Sequence, residues 1–172
     1  MEVIGANGCR LRAMEPSDLE LLYLWENDPK VWRVSGTIAP VSRHRLASFI
    51  QEQSYDIYAT RQMRLIIDVE GVAVGTLDIV EFDPQNRRFG LGILIYDESH
   101  RRLGYAKSAI EAAIEYGRHV LQIHQVWASV VADNKPSIAL FESCEFERCG
   151  CRKDWVLTPD GYRDCIEFQR IV

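Results

Sequence analysis

Between residues 106 and 120 the apolar positions recur at spacings of three and four. Ala106, Ala109, Ile110, Ala113, Ile114, Gly117 and Val120 form one stripe, with Lys107, Glu111, Glu115 and Arg118 outside it. That period predicts an amphipathic helix packed on a sheet. Just before it, Phe89-Gly-Leu-Gly-Ile-Leu-Ile-Tyr96 is an apolar run of strand length, and Asp97-Glu-Ser-His100 is a polar loop. Taken from the N-terminus, residues 9–14 alternate as a first strand. Glu15-Pro-Ser-Asp-Leu-Glu20 then starts a helix, with Pro16 or Ser17 at its entry and Glu20 three residues after Ser17. Asn27-Asp-Pro29 stops it, and a second helix follows Ser42 through Leu46, Phe49 and Ile50 towards Tyr55.

Residues 63–69 and 72–82, joined at Glu70-Gly71, read as an antiparallel hairpin, and Asp83-Pro-Gln-Asn86 turns into the strand 89–96. Beyond the long helix come a buried fifth strand, 125–131, and a fourth helix, 138–144, after the break at residues 133–137. A last strand pair, 149–157 and 162–170, turns at Thr158-Pro-Asp-Gly161. The reading is a single domain over residues 1–172, with about seven strands and about four helices.

Composition removes several function classes. A net charge of −5 argues against a nucleic-acid binder held by a basic surface and leaves room for a cationic acceptor. No apolar run approaches a membrane span, and Met1-Glu-Val-Ile-Gly5 lacks a secretory pattern, so the expected location is cytoplasmic. The five cysteines are odd in number, and Cys149-Gly-Cys151 lacks the spacing of a redox or zinc pair. With no metal spacing among His44, His100, His119 and His124, no metal site is expected.

The chemistry concentrates between the strand 89–96 and the long helix. Arg101-Arg-Leu-Gly104 supplies two cations, a glycine that permits close approach, and a run of helix N-terminal N–H groups without intrahelical acceptors. With the helix dipole added, this is an anion site suited to a phosphate or pyrophosphate. It is neither a Walker loop nor a dinucleotide fingerprint, since no Gly-Lys-Ser/Thr follows and Gly90, Gly92 and Gly104 have the wrong spacing.

At this point the chain resembles the GNAT superfamily of N-acetyltransferases over essentially its whole length. Arg101, Gly104 and Ala106 match that family's acetyl-coenzyme A motif. Asn134-Lys-Pro-Ser-Ile-Ala-Leu-Phe141 leading to Phe146 matches its second signature, with Glu145 where the family usually has Gly. The ending with Trp155, Asp160-Gly-Tyr162 and Phe168 is similar to the branch of spermidine N-acetyltransferases and ribosomal-protein N-terminal acetyltransferases.

The resemblance implies an α/β (α+β) fold with a mixed, mostly antiparallel sheet, splayed between its fourth and fifth strands so that pantetheine enters like an extra strand. Backbone groups of Leu94, Ile95 and Tyr96 would pair with pantetheine amides, and the N–H groups of Arg102, Leu103, Gly104, Tyr105 and Ala106 would hold the pyrophosphate. Arg101, Arg102 and Lys107 would add charge there, and Asn134 and Ser137 would complete the acetyl-CoA site.

In such enzymes the amine attacks directly in a ternary complex, and a backbone N–H near residues 94–96 polarises the carbonyl. The usual tyrosine acid falls at Phe141, which leaves a water, Ser137 or Tyr96 for that role. The usual glutamate falls at about Leu91, so Glu81, Asp83 and Asp78 remain as candidate bases. Regular alternation would put Glu81 and Asp83 on one face and Asp78 on the other. Trp25 and Trp155 are candidates for the acceptor pocket. The implied acceptor is a polyamine, a protein N-terminus or a small amine, with no nucleic acid and no membrane partner. A coenzyme-binding sensor without catalysis is the alternative from another class, and exposed edges in the last strand pair leave room for a homodimer.

Overall fold

The computed structural model describes residues 3–35, 38–53 and 55–172. Strands β1 (Val3–Ile4) and β2 (Cys9–Ala13) lead into helices α1 (Leu19–Glu26), α2 (Pro29–Ser35), α3 (Arg43–Glu52) and α4 (Ile57–Thr60). A meander of β3 (Met63–Val69), β4 (Val72–Asp83) and β5 (Arg88–Ile95) then reaches α5 (Tyr105–His119). The chain closes with β6 (Gln125–Val131), α6 (Lys135–Ser143), β7 (Glu147–Thr158) and β8 (Gly161–Ile171). The strands form one sheet in the order β1-β2-β3-β4-β5-β6-β8-β7, antiparallel throughout except between β5 and β6.

The seven expected strands are all present, and the two-residue β1 extends the edge beside β2, so the strand expected as fourth is β5. The four expected helices are α1, α3, α5 and α6. Two more appear, and the first has a clear cause. Asn27-Asp-Pro29 ends one helix and starts the next, because proline at a first helical position lacks only an N–H that would be unpaired anyway. Asp28 then caps α2, its Oδ1 accepting from the Lys30 N–H at 2.9 Å. The helix expected towards Tyr55 ends at Glu52, and residue 54 lies outside the described residues.

Strand alternation divides the core in two. Leu65, Ile67, Leu77, Ile79, Phe89 and Leu91 point to the face covered by α5 and α6. On the other face Ile66 packs with Met14 and with Leu22 of α1 and Leu46 and Ile50 of α3. That second face also carries the buried Asp68, which accepts from Arg10 Nε at 3.0 Å, Arg12 Nε at 3.2 Å and the Gly71 N–H at 2.9 Å. Burial alone would raise the Asp68 carboxyl; the hydrogen bonds from Arg10, Gly71 and Arg12 more than offset it, and the net value lies below the ordinary range.

Asp68→Asn is therefore expected to cost about 3 kcal/mol at neutral pH, as breaking a buried pair does. A depressed carboxyl stabilises fully above its unfolded value, near pH 4, and loses that contribution as pH falls through its folded value. In thermal melts the gap between parent and variant should be constant from about pH 6 to 8 and narrow below about pH 4.

Candidate active site

Only three residue pairs join the parallel strands: Arg88 with Gln125, Phe89 with Val126, and Gly90 with Trp127. On its other side β5 stays paired with β4 as far as Ile95 opposite Gly75. From Leu91 to Ile95, β5 thus turns one edge of backbone N–H and C=O groups into a gap that widens towards its C-terminal end. Such groups need partners when buried, and an extended chain carrying amides is the natural one.

The wide end of the gap meets the start of α5. Asp97 begins the connection, accepting from the Ser99 N–H at 2.8 Å, and a 3-10 turn runs over Glu98–His100. Arg101 hooks this loop to the strand, donating from Nε to the Ile95 carbonyl at 3.0 Å and from Nη2 to that of Tyr96 at 3.1 Å. Gly104 is the N-cap of α5 with φ 85°, and no side chain caps the helix. Its first N–H groups therefore remain available, under the positive end of a fifteen-residue helix.

Of the three cations expected beside a phosphate, two are otherwise engaged. Arg101 serves the loop, and Lys107 Nζ donates to the Ser143 carbonyl at the end of α6, at 2.7 Å. Arg102 is exposed at φ 62° and is left to meet an anion. Leu103 is exposed as well, whereas Tyr105 and Ala106 are half-buried against the core.

On the opposite face of the sheet from α5, strand register builds a charged cluster that no short stretch of sequence contains. Arg64 of β3 lies opposite Asp78 of β4, and Asp78 opposite Gly92 of β5. Arg64 donates to both Asp78 oxygens, at 2.6 and 2.9 Å, and through Nη1 to Glu26 at the end of α1, at 2.6 Å. Burial works against the Arg64 charge, and Asp78 and Glu26 more than offset it, so the guanidinium stays charged.

Tyr96 completes the cluster beside Thr76, and Trp25 stacks on its ring with centroids 4.1 Å apart and planes 7° from parallel. Burial, reinforced by Glu26, pushes the Tyr96 phenol up to about 12, so it remains protonated at neutral pH. One cation and two carboxylates leave the cluster a net charge of −1, beside the side-chain-free Gly92.

The other two carboxylates expected near the site are placed differently. Strand β4 does not stay regular: its pairing with β5 slips between Val80 and Asp83, and Glu81 takes φ 48° in that bulge. Alternation therefore fails at the two residues it was used to orient. Glu81 is exposed, and Asp83 closes the turn, accepting from the Asn86 N–H at 3.0 Å and Nδ2 at 2.7 Å, with Arg88 at 3.4 Å. Among the described residues no group of three or more His, Cys, Asp or Glu is placed to hold a metal, and no helix is long and apolar enough to cross a membrane.

The comparisons with known proteins agree with this geometry. The family described as acetyltransferase (GNAT) domain matches residues 9–147. The chain belongs to the GNAT acetyltransferases. A protein named uncharacterized N-acetyltransferase p20, from Bacillus licheniformis, is 30% identical over 161 residues, covering 90% of this chain and 88% of the relative. The spermidine N(1)-acetyltransferase of Vibrio cholerae is 23% identical over 155 residues, covering 90% and 87%.

Among solved structures, spermidine N-acetyltransferase from Vibrio cholerae in complex with CoA and spermine superposes with TM-score 0.85 at 21% identity, covering 95% of each chain. RimL, a ribosomal L7/L12 alpha-N-protein acetyltransferase in complex with coenzyme A, gives TM-score 0.86 at 19% identity, covering 100% of this chain and 98% of that one.

In this GNAT acetyltransferase, Phe141 on α6 stands where the sequence resemblance implies a tyrosine acid. Phe141 has no proton to give and sits in the core, 4% exposed, edge-on to Phe146 and stacked with Phe168. Asn134 is the N-cap of α6, its Oδ1 accepting from the half-buried Ser137 N–H at 3.2 Å. Trp155 lies away from the cluster on β7, 58% exposed, with Arg152 over its ring at 4.8 Å.

Proposed function

We propose that this GNAT protein, as one domain spanning residues 1–172, is a cytoplasmic N-acetyltransferase that moves an acetyl group from acetyl-CoA to a primary amine by direct attack in a ternary complex. The supporting observation is the coincidence of two features on one strand, one at its edge and one on the face away from α5. The unpaired edge of β5 leads to the uncapped start of α5, and Asp78, Glu26 and Arg64 form an anionic cluster beside Gly92. Pantetheine lies along the unpaired edge of β5 up to Ile95, the Tyr96 N–H being already given to the Val74 carbonyl, and the pyrophosphate on the N–H groups of residues 102–106 with Arg102. The ammonium enters at Asp78, under Trp25 and Tyr96.

The steps balance without a metal. The ammonium gives one proton to solvent through Asp78, the amine nitrogen bonds to the thioester carbon, and a β5 N–H holds the oxyanion. The carbon–sulfur bond then breaks, the coenzyme leaves as thiolate, and the nitrogen sheds its second proton. A thiol with pKa near about 8.5 leaves without full protonation.

Spermidine and a ribosomal protein N-terminus, the acceptors named for two relatives, both present an amine of this kind. Titration calorimetry with acetyl-CoA, followed by thiol release with a panel of amines, tests the reading. Micromolar binding with amine-dependent release supports it, and absence of binding removes it.

One observation favours a second reading, a coenzyme-binding module without turnover: the buried, proton-free Phe141. Phe141→Tyr is expected to raise kcat at least about tenfold, short of the full 10²–10⁴ of a well-positioned acid. Parent and variant equally inert while acetyl-CoA binds would favour the module.

A further inference from the structure

A groove of about 630 Å³ is lined by Trp127, Arg61, Arg88, Arg152, Glu167 and Gln125, among others. The anionic cluster lies outside its lining, and the strand face at Gly90 and Gly92 links the two. Gly90 and Gly92 stand on the same face as Asp78, and a Cβ on Gly90 would come within 2.6 Å of the Trp127 ring. The strand face is thus bare at Gly92 beside Asp78, and two residues back along β5 the Trp127 ring covers Gly90 and marks the start of the groove.

The charges along this path change character. At the Asp78 end one cation meets two carboxylates. Within the groove, Arg88 lies 3.4 Å from Asp83 and Arg152 lies 3.1 Å from Glu167. Both carboxylates have further donors, Asn86 on Asp83 and Ser129 Oγ on Glu167 at 2.7 Å. Arg61 is different. Its Nη1 reaches only the Phe82 carbonyl, at 3.4 Å, and among the described residues it has no carboxylate partner. Each guanidinium carries about five N–H donors, so the far groove holds more donors than its own acceptors use. Among the carboxylates that line the groove, Glu81, exposed in the β4 bulge, is the one with no cation in ion-pair reach.

We propose that the acceptor is a primary amine whose far end carries a carboxylate, with the amine at Asp78 and the carboxylate on Arg61, rather than a polycation. This rests on the acetyl-transfer reading for the chemistry but not for the recognition. At Arg61 a second ammonium would meet a cation with no carboxylate partner, whereas a carboxylate there gains charge-assisted, bidentate hydrogen bonds.

The test uses ω-amino acids, their primary amides and the corresponding diamines, matched in chain length. Each is titrated into the protein saturated with CoA and, separately, assayed for thiol release with acetyl-CoA. The amino acid is expected to bind at least about tenfold more tightly than the diamine, as one charged hydrogen bond allows, with the amide between them. Arg61→Gln should bring amino acid and diamine within about threefold of each other, and Arg61→Lys should restore most of the preference. A diamine that binds as well as the amino acid, or an Arg61→Gln variant with an unchanged ratio, overturns the proposal. Preferential binding of the amino acid without thiol release would instead remove the acetyl-transfer reading and leave the groove's selectivity standing.

Discussion

Asp78→Asn is expected to lower kcat/KM for the amine by about 10²–10³-fold while leaving acetyl-CoA affinity within about twofold, the loss falling in the range for a group that handles a proton in the reaction. The substitution keeps the shape and one hydrogen bond to Arg64. It removes the charge. With Asp78 neutral, Glu26 and Arg64 sum to zero, and the net attraction for an ammonium beside Gly92 disappears. An ammonium must be held and then relieved of a proton at the same place, so both substrate binding and the chemical step suffer.

Glu81→Gln and Asp83→Asn serve as comparisons. Glu81 is exposed in the bulge, and Asp83 is already held by Asn86 and Arg88, so each is expected to change kcat/KM for a monoamine by less than about threefold, as screened surface charges do. Initial rates of thiol release across the three variants, with melting curves to confirm folding, decide the matter. Full activity in Asp78→Asn alongside a large loss in Glu81→Gln would move the amine site into the bulge.

The anionic cluster shows where sequence reading stops. Alternation in β3 and β4, the stripe on α5 and the polar loop before it were all visible, because each is a local pattern with a fixed period. Arg64, Asp78 and Glu26 meet only through strand register and the docking of α1, at separations of 14 and 38 residues. Nothing in a single stretch encodes that meeting. The bulge between Val80 and Asp83 had a further effect: one extra residue reversed the parity on which the orientation of Glu81 and Asp83 depended.

Arg101 and Lys107 illustrate a different limit. Their charge suits an anion site, and each also donates to a backbone carbonyl that no local pattern reveals. Folding placed the Ile95 and Tyr96 carbonyls beside the first and the Ser143 carbonyl beside the second. Phe141 was legible as a departure from the family pattern, though not its burial against Phe146 and Phe168, which are brought together by the turn after α6 and by β8.

The phosphate loop carries the other large expected effect. Arg102→Glu with Gly104→Val should weaken acetyl-CoA binding at least about 10²-fold, since a pyrophosphate at a helix N-terminus depends on close backbone approach and on positive potential. Gly104 holds φ 85°, a region that costs a β-branched residue about 1–3 kcal/mol. Any Cβ there would also sit 3.2 Å from the Asn7 side-chain amide, which faces it from the β1-β2 turn.

Part of the Gly104→Val effect is therefore strain that could loosen the loop, and the single variant Arg102→Glu separates the two causes. Arg102 is exposed and outside any regular element, so its charge reversal should leave the melting temperature unchanged while still lowering affinity about tenfold, more at low salt than at high salt. If calorimetry gives the same affinity for Arg102→Glu as for the parent at both salt concentrations, the potential at the start of α5 comes from the helix and its N–H groups alone. If the double variant also binds normally, the loop does not hold the phosphates, and the unpaired edge of β5 must receive its ligand from another direction.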